Sequence, residues 1–156
     1  AALSLAFIDL DHFKSINDSF GHETGDSVLK TAASTIAKHL RRGDMLVRWG
    51  GEEFVLILPH TDHQQAGIAL ARLRQSGFGR RPDQEPVTAS IGLAELKADN
   101  CDDWRKLVEI ADRRMYVAKR RGRNQVCDSD DNAPERERRV GEVVVNYQVI
   151  VPVGEM

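Results

Sequence analysis

The sequence has few cysteines, no long apolar run and no secretory signal at its start. Its two cysteines, Cys101 and Cys127, lack the spacing of a metal site and make no disulfide framework. No apolar stretch approaches the roughly 20 residues that a membrane-spanning helix needs. We therefore expect a cytoplasmic domain that makes no membrane contact itself. The abrupt start at Ala1 suggests a fragment, so any membrane anchor of the parent protein is expected in a preceding region.

The chain also lacks an excess of charge of either sign. Charged residues make up 29% of its 156 residues, and the net charge is −2. Because there is no basic field, we expect no nucleic-acid polymer as a partner. The length suits one domain with a sizeable core rather than two.

Two short, apolar, β-rich runs, residues 45–49 and 54–58, predict a hairpin. The residues between them are Gly50, Gly51, Glu52 and Glu53. Glycine here permits a positive φ and lets another molecule approach the backbone closely. The adjacent carboxylates repel each other, which suits a site where a cation lies between them and a substrate. On this stretch alone, a solvated acidic turn is an equally good interpretation.

A second pair of acids, Asp9 and Asp11, follows the apolar run of residues 3–8. In open α/β sheets, an Asp at the carboxyl end of a buried strand lies where ligands bind. If this strand lies beside the hairpin, Asp9 and Glu52 can share one divalent cation. Magnesium commonly bridges one or two carboxylates to a phosphate, so the arrangement favours nucleotide chemistry.

The order of the predicted elements is typical of a ferredoxin-like fold. Periodicity and end signals predict strands over residues 3–8, 45–49, 54–58, 87–96 and 125–127, and helices over residues 25–40, 62–75 and 102–120. Residues 14–21 fit a compact loop or a short helical turn, and Trp104 is predicted to lie in the core. We predict an α+β sandwich: a βαββαβ core with a central antiparallel sheet flanked by helices, plus an extra helix and strand.

The sequence resembles the GGDEF domain of bacterial diguanylate cyclases from about residue 3 to about residue 126. Residues 50–54 are the GGEEF form of the family's signature. The other matching motifs, in the family's order and spacing, are residues 7–14, 16–18, 20–22, 25–26, 89–92, 111–112, 116, 118–119 and 122–124. The resemblance implies the same palm-like fold with an additional helix and strand.

The resemblance also implies a reaction that joins two GTP molecules into cyclic di-GMP and releases two pyrophosphates. One domain would bind one GTP, so two domains must meet in a transient or module-driven homodimer. The implied cofactor is Mg²⁺ or Mn²⁺, held by Asp9, Glu52 and the carbonyl oxygen of Leu10. Glu53 would be the second acid, either completing a two-metal site or assisting deprotonation.

Further residues match the family's ligands for the nucleotide and for the product. The resemblance assigns guanine to Asn17 and Asp26, and the rest of the substrate to Phe13, Lys14, Gly50, Gly51, Lys119 and Arg123. Arg41, Asp44 and Arg72 match the RxxD site at which cyclic di-GMP inhibits the enzyme. Taken alone, an RxxD motif is usually a surface ion pair, and cations at a helix C-terminus usually complement the helix dipole.

Two other functions compete with an active cyclase. A catalytically inactive receptor for GTP or cyclic di-GMP is the main alternative, although degenerate receptors usually lack the acidic signature that is intact here. A polymerase-like nucleotidyltransferase is disfavoured, because the chain has no basic template channel.

The resemblance sets the expected domain limits. We expect residues 1–127 to form the GGDEF domain, without the family's DxLTGLxNR-type segment that precedes the first strand. Residues 128–139 are highly charged and predict a linker. Residues 140–156 are strand-like and lie outside the resemblance, so this tail either adds a strand to a sheet edge or begins a second module.

Overall fold

The computed structural model describes residues 1–130 and 148–152. The strands are β1 (Leu3–Leu10), β2 (Met45–Arg48), β3 (Glu53–Pro59), β4 (Ala89–Glu95), β5 (Gln125–Cys127) and β6 (Gln148–Pro152). The helices are α1 (Phe13–Phe20), α2 (His22–Lys38), α3 (His63–Ser76) and α4 (Trp104–Arg120).

Strand β1 lies inside the sheet, between two antiparallel neighbours. The strand order is β5-β4-β1-β3-β2-β6, and β1 pairs with both β3 and β4. The order β4-β1-β3-β2, with its helical crossovers, confirms the predicted ferredoxin-like α+β core. Helix α4 then returns the chain so that β5 lies parallel to β4, which accounts for the extra helix and strand.

The side chains of β1 alternate between two cores, as they must in a strand that is covered on both faces. Ala6 and Ile8 lie in the core formed with α1, α2 and α3. Leu5 and Phe7 lie in the core formed with α4. Asp9 continues this second set, so its carboxylate lies on the α4 side of the sheet.

Gly92 allows α4 to pack closely against β4. A Cβ atom at this position would overlap the carbonyl oxygen of Ala111 and the amide nitrogen of Met115. Both of these are backbone atoms of α4, which cannot move aside as the end of a flexible side chain can. This close approach sets the distance between α4 and the sheet. It therefore also determines how near the side chains at the C-terminal end of α4 lie to the end of β1.

Helix α3 begins with a capping box. Asp62 Oδ1 accepts a hydrogen bond from the backbone N–H of Gln65 at 2.8 Å. The backbone N–H of Asp62 in turn donates to Gln65 Oε1 at 2.9 Å. Two amide groups without helical partners are satisfied in this way, and the predicted start of the helix at Asp62 is confirmed.

The segment predicted as a loop or short helical turn is a complete helix, α1. Gly21 separates it from α2 with a φ of 91°, and the Gly21 N–H donates to the carbonyl of Asn17 at 2.8 Å. Because a single residue joins the two helices, α2 begins at His22, three residues before the predicted start. Periodicity alone did not show this junction, since both helices are amphipathic.

One prediction from the sequence, the burial of Trp104, is wrong, and the glycines of the hairpin turn do not use their conformational freedom. Trp104 is 56% exposed, because it is the first residue of α4 and its ring lies against the guanidinium of Arg105 rather than in the core. Gly50 and Gly51 do not have positive φ values. The turn that they form therefore does not need glycine for its backbone conformation.

A further strand, β6, pairs antiparallel with β2 at the edge of the sheet. It lies within the predicted strand-like tail. The rest of that tail and most of the predicted linker, residues 131–147 and 153–156, lie outside the described residues. Within the described part of the chain, no helix is both long and apolar enough to cross a membrane.

Candidate active site

The end of β1 and the tip of the β2–β3 hairpin lie side by side, as predicted. Asp9 and Glu53 are direct cross-strand partners in the antiparallel register. The backbone N–H of Leu10 donates to the carbonyl of Glu52 at 3.2 Å. The sheet therefore brings the acidic signature next to the acid that ends β1.

Asp9 is a buried carboxylate that lacks part of its hydrogen bonding. Its residue is only 3% exposed, and Oδ2 forms an ion pair with Lys119 Nζ at 2.9 Å. Oδ1 is buried and has no hydrogen-bond partner among the described residues. Burial raises the pKa of Asp9 to about 7; Lys119 opposes this rise, and the charges of Glu52 and Glu53 add to it. A cation bound here would therefore offset both the cost of burying the Asp9 charge and the repulsion from Glu52 and Glu53.

Arg48 holds the turn that carries the signature. Its Nη2 donates to the carbonyl of Gly51 at 2.8 Å, and its Nε donates to that of Gly50 at 3.4 Å. A Cβ atom at Gly50 would lie 2.9 Å from Glu53 Oε1, so glycine lets this acid fold back over the turn. Sequence reasoning missed Arg48, because a strand arginine before two glycines has no distinctive spacing.

Asn17 and Gly25 form a polar notch between α1 and α2. Asn17 Oδ1 is buried without a hydrogen-bond partner in the described part of the chain. A Cβ atom at Gly25 would overlap this same oxygen, so only glycine leaves room for it. Asp26 follows on the exposed side of α2. The notch offers oxygen acceptors, which suit a base edge that carries N–H donors.

The first turn of α1 starts just after Asp9. His12 precedes it in the left-handed conformation (φ 57°), and its side chain makes no capping hydrogen bond to the helix. The first amides of a helix have no partners within the helix and attract anions. The amides around Phe13 and Lys14 are therefore placed to donate hydrogen bonds to phosphate oxygens. The side chain of Lys14 is exposed.

Lys119 and Arg123 occupy the last turn of α4 and the bend that follows it. Lys119 reaches Asp9, as described above, so one predicted phosphate ligand is already in the site. Arg123 is exposed and has a left-handed backbone with a φ of 65°. The structure thus brings Asp9, Glu53 and Lys119 together directly, and places the bend that carries Arg123 beside them.

The predicted RxxD site lies at the opposite end of β1 and β3. Arg41, Asp44 and Arg72 all line one cavity of about 250 Å³. Asp44 is 4% exposed, burial raises its pKa, and its Oδ2 accepts the Arg41 N–H at 2.7 Å. Thr61, which sequence reasoning missed, accepts from Arg41 Nη2 at 2.7 Å. Asp9 is six residues, or about 20 Å, along β1 from this end of the strand.

Comparison with known proteins agrees with these features. The family model described as "Diguanylate cyclase, GGDEF domain" matches residues 1–125. The chain is 40% identical over 128 residues to the diguanylate cyclase DgcP of Pseudomonas aeruginosa. This match covers 80% of this chain and 19% of that protein. The chain therefore spans about a fifth of the length of that relative.

Solved structures match over a similar region. The GGDEF domain of DgcB from Caulobacter crescentus, in complex with c-di-GMP, has a TM-score of 0.72 and 35% identity, covering 81% of this chain and 77% of that one. The active GGEEF domain of a diguanylate cyclase from Vibrio cholerae has a TM-score of 0.71 and 31% identity, covering 81% and 82%. The protein described here belongs to the GGDEF-domain family of diguanylate cyclases.

Proposed function

We propose that this domain condenses two GTP molecules into cyclic di-GMP and releases two pyrophosphates. The observation that carries the proposal is the buried, partly unpaired carboxylate of Asp9 beside the intact acidic signature. Family membership gives the reaction class, and the Vibrio cholerae relative shows that a GGEEF domain can be active. The acids that a degenerate receptor usually lacks are both present.

Asp9 suits a magnesium ion, with Glu52, Glu53 and the carbonyl of Leu10 as the other candidate ligands. Among the described residues, no three acidic, histidine or cysteine side chains group into a metal centre. An ion at Asp9 would therefore depend on water and on substrate phosphates, which is the usual mode for magnesium. When bound, it would neutralise phosphate charge and activate the attacking hydroxyl.

The remaining residues would bind and orient the nucleotide. Asp26 and Asn17 would accept from the N1–H and N2–H₂ edge of guanine, a donor pair that adenine lacks. Adenine would leave the buried Asn17 Oδ1 without a donor, and an unpaired buried group of this kind disfavours the wrong base. The amides of Phe13 and Lys14 would hold the phosphates, together with Arg123.

Lys119 would act in two states. Without nucleotide it neutralises Asp9. If Asp9 held a divalent cation instead, the Lys119 ammonium group would be available to the phosphates. The Lys119 ammonium group would thus keep the buried Asp9 carboxylate paired between turnovers. This pairing would reduce the loss of stability that an unpaired buried charge causes.

Purified protein incubated with GTP and Mg²⁺ tests the proposal, with the products separated by chromatography. Cyclic di-GMP should appear only with both components. Since the two nucleotides bind to different copies, the initial rate should rise about fourfold when the concentration of a monomeric sample doubles, as mass action requires. Binding of GTP without any turnover would instead favour the receptor function. A rate proportional to protein concentration, where sedimentation shows monomer, would contradict the dimer of half-sites.

We further propose that cyclic di-GMP binds in the RxxD cavity and that the bound product inhibits the enzyme. Arginine forks bind phosphates bidentately and stack on guanine, and Arg41 and Arg72 line the same cavity. Asp44 is largely used to hold the turn at Arg41, so its main contribution is to position that arginine. The cavity lies far enough from Asp9 that bound product need not displace GTP.

Replacing Arg41 by Ala should weaken cyclic di-GMP binding about tenfold or more, because a charge-assisted contact is lost. Binding of GTP should not change. Arg42→Ala is the matched control, since Arg42 is exposed and does not line the cavity. Calorimetry that gives the same product affinity for Arg41→Ala and Arg42→Ala would rule out this site.

A further inference from the structure

The bend after α4 is held from two sides at Asn124. Its backbone N–H donates to Asp11 Oδ2 at 3.0 Å, and its carbonyl accepts from Arg74 Nη2 at 2.6 Å. Gly122, Arg123 and Asn124 have φ values of 118°, 65° and 49°. The left-handed backbone conformation is unfavourable for residues other than glycine, such as Arg123 and Asn124. Contacts from outside the bend must therefore stabilise it.

Asp11 is well suited to this task, because its carboxylate is fully engaged. It is 4% exposed. Oδ1 accepts from Ser90 Oγ at 2.6 Å, and Oδ2 accepts from Thr88 Oγ1 at 2.6 Å as well as from Asn124. Short, charge-assisted bonds of this kind fix a group rigidly. Asp9, two residues earlier, has an unpaired oxygen, so the two acids of the motif have different tasks.

The bend also completes the end of α4. The Gly122 N–H donates to the carbonyl of Lys119 at 3.3 Å, and the Arg123 N–H donates to that of Ala118 at 3.0 Å. The position of Asn124 therefore determines where the backbone of Arg123 lies and how the last turn of α4 ends. Lys119 and Arg123 are the two cations that the proposed function assigns to the phosphates.

We propose that Asp11 and Arg74 are positioning residues for the nucleotide's phosphates. By holding Asn124 from opposite sides, they fix the bend so that Lys119 and Arg123 present their charges to the same nucleotide. The inference rests on the proposed function, since it assumes that these cations bind phosphate. Neither Asp11 nor Arg74 needs to touch the nucleotide.

Calorimetry with a non-hydrolysable GTP analogue and with GMP tests this role. Asp11→Ala and Arg74→Ala should each weaken binding of the triphosphate about tenfold, the lower end of the cost of removing an outer-shell partner. Binding of GMP, which lacks the distal phosphates, should change less than twofold. Asp11→Asn keeps an acceptor for the Asn124 N–H and should recover most of the triphosphate affinity.

Two matched controls separate positioning from general loosening. Ser90→Ala removes a hydrogen bond from the other oxygen of Asp11 and leaves the Asn124 contact in place. Gln75→Ala alters the exposed neighbour of Arg74 on α3. Gln75→Ala should bind the triphosphate as the parent does, and Ser90→Ala should lose less affinity than Asp11→Ala, because Ser90 contacts Asp11 but not Asn124. If Asp11→Ala does not fold, Arg74→Ala decides the question, because the Arg74–Asn124 contact is exposed.

The possible results have distinct meanings. Equal triphosphate affinity in Arg74→Ala and the parent would overturn the inference, and so would equal losses for the triphosphate and GMP. If the parent protein does not bind the triphosphate, the proposed function fails and the inference fails with it. A parent that binds, with both variants losing the triphosphate selectively, supports the positioning role.

Discussion

Asp9→Asn is expected to reduce cyclic di-GMP formation by about a hundredfold to a thousandfold, the scale on which removal of one group that stabilises transition-state charge acts. Asn keeps the size of the side chain but removes the charge that a divalent cation would need. Because the residue is 3% exposed and its Oδ1 has no partner among the described residues, water cannot easily replace the lost ligand. The initial rate of product formation, measured with GTP and Mg²⁺, checks this expectation.

The same variant should be at least as stable as the parent when no divalent cation is present. Burial raises the pKa of Asp9 to about 7 from its ordinary value of 3.8. The unfolded chain therefore releases this proton at a lower pH than the folded protein does, so the Asp9 contribution to stability falls as the pH rises from about 4 to about 7. Asn does not titrate. Its advantage over Asp should grow across that interval and then stay constant.

Glu109→Gln is the control for Asp9→Asn, because Glu109 is an exposed acid on α4 with no assigned role. It should leave both the rate and the unfolding temperature unchanged. Thermal unfolding in a chelator at several pH values provides the stability comparison. Full activity in Asp9→Asn would remove the basis for a cation site, and a large loss of stability would show that the charge has a structural role.

Most of the architecture could be predicted from local sequence patterns. The hairpin, the Asp62 cap and the alternation of strands and helices each depend on residues close together in the chain. The βαββαβ order predicts by topology alone that Asp9 and Glu52 meet. The register pairs Asp9 directly with Glu53, the next acid of the signature, and topology does not determine that detail. The site could be predicted because the fold places strand ends in a fixed order.

The division of roles between Asp9 and Asp11 could not be predicted. Both are acids at the end of one strand, and their spacing gives no preference. What separates them is the set of partners: Asp11 bonds to Thr88, Ser90 and Asn124, which lie 77 to 113 residues away. A helical periodicity likewise places Trp104 on the apolar side of α4 without showing that the core ends before the first turn.

Arg114 is the clearest example of a residue whose role could not be predicted from the sequence. In a helix rich in cations it looks like another solvated arginine, yet it is 3% exposed. It donates to the carbonyl of Leu93, to both oxygens of Asp99 and to both oxygens of Asp130. Five hydrogen bonds from one guanidinium join α4 to β4, to the turn after β4 and to the segment after β5.

Arg114→Ala should therefore lower the free energy of unfolding by about 3–5 kcal/mol, the range for removing one partner of a buried ion pair. The loss is large because the Asp99 carboxylate, whose side chain is 14% exposed, would remain without its partner. Urea denaturation of the purified variant measures this change. Total stability is about 5–15 kcal/mol, so the loss is a large fraction of it, and the urea midpoint should fall well below that of the parent.

Arg113→Ala is the matched control for Arg114→Ala. Arg113 is the preceding residue of the same helix and pairs with Asp130 at 2.8 Å, an acid whose side chain is 47% exposed. The Arg113 side chain is 17% exposed, but Asp130 is half-exposed and keeps Arg114 as a partner. The control should therefore unfold within about 1 kcal/mol of the parent. If both variants lost the same free energy of unfolding, the burial of Arg114 would not account for its contribution to stability, and the prediction would be wrong. If only Arg114→Ala lost several kcal/mol, its guanidinium would be the main polar link between α4 and the segments around it.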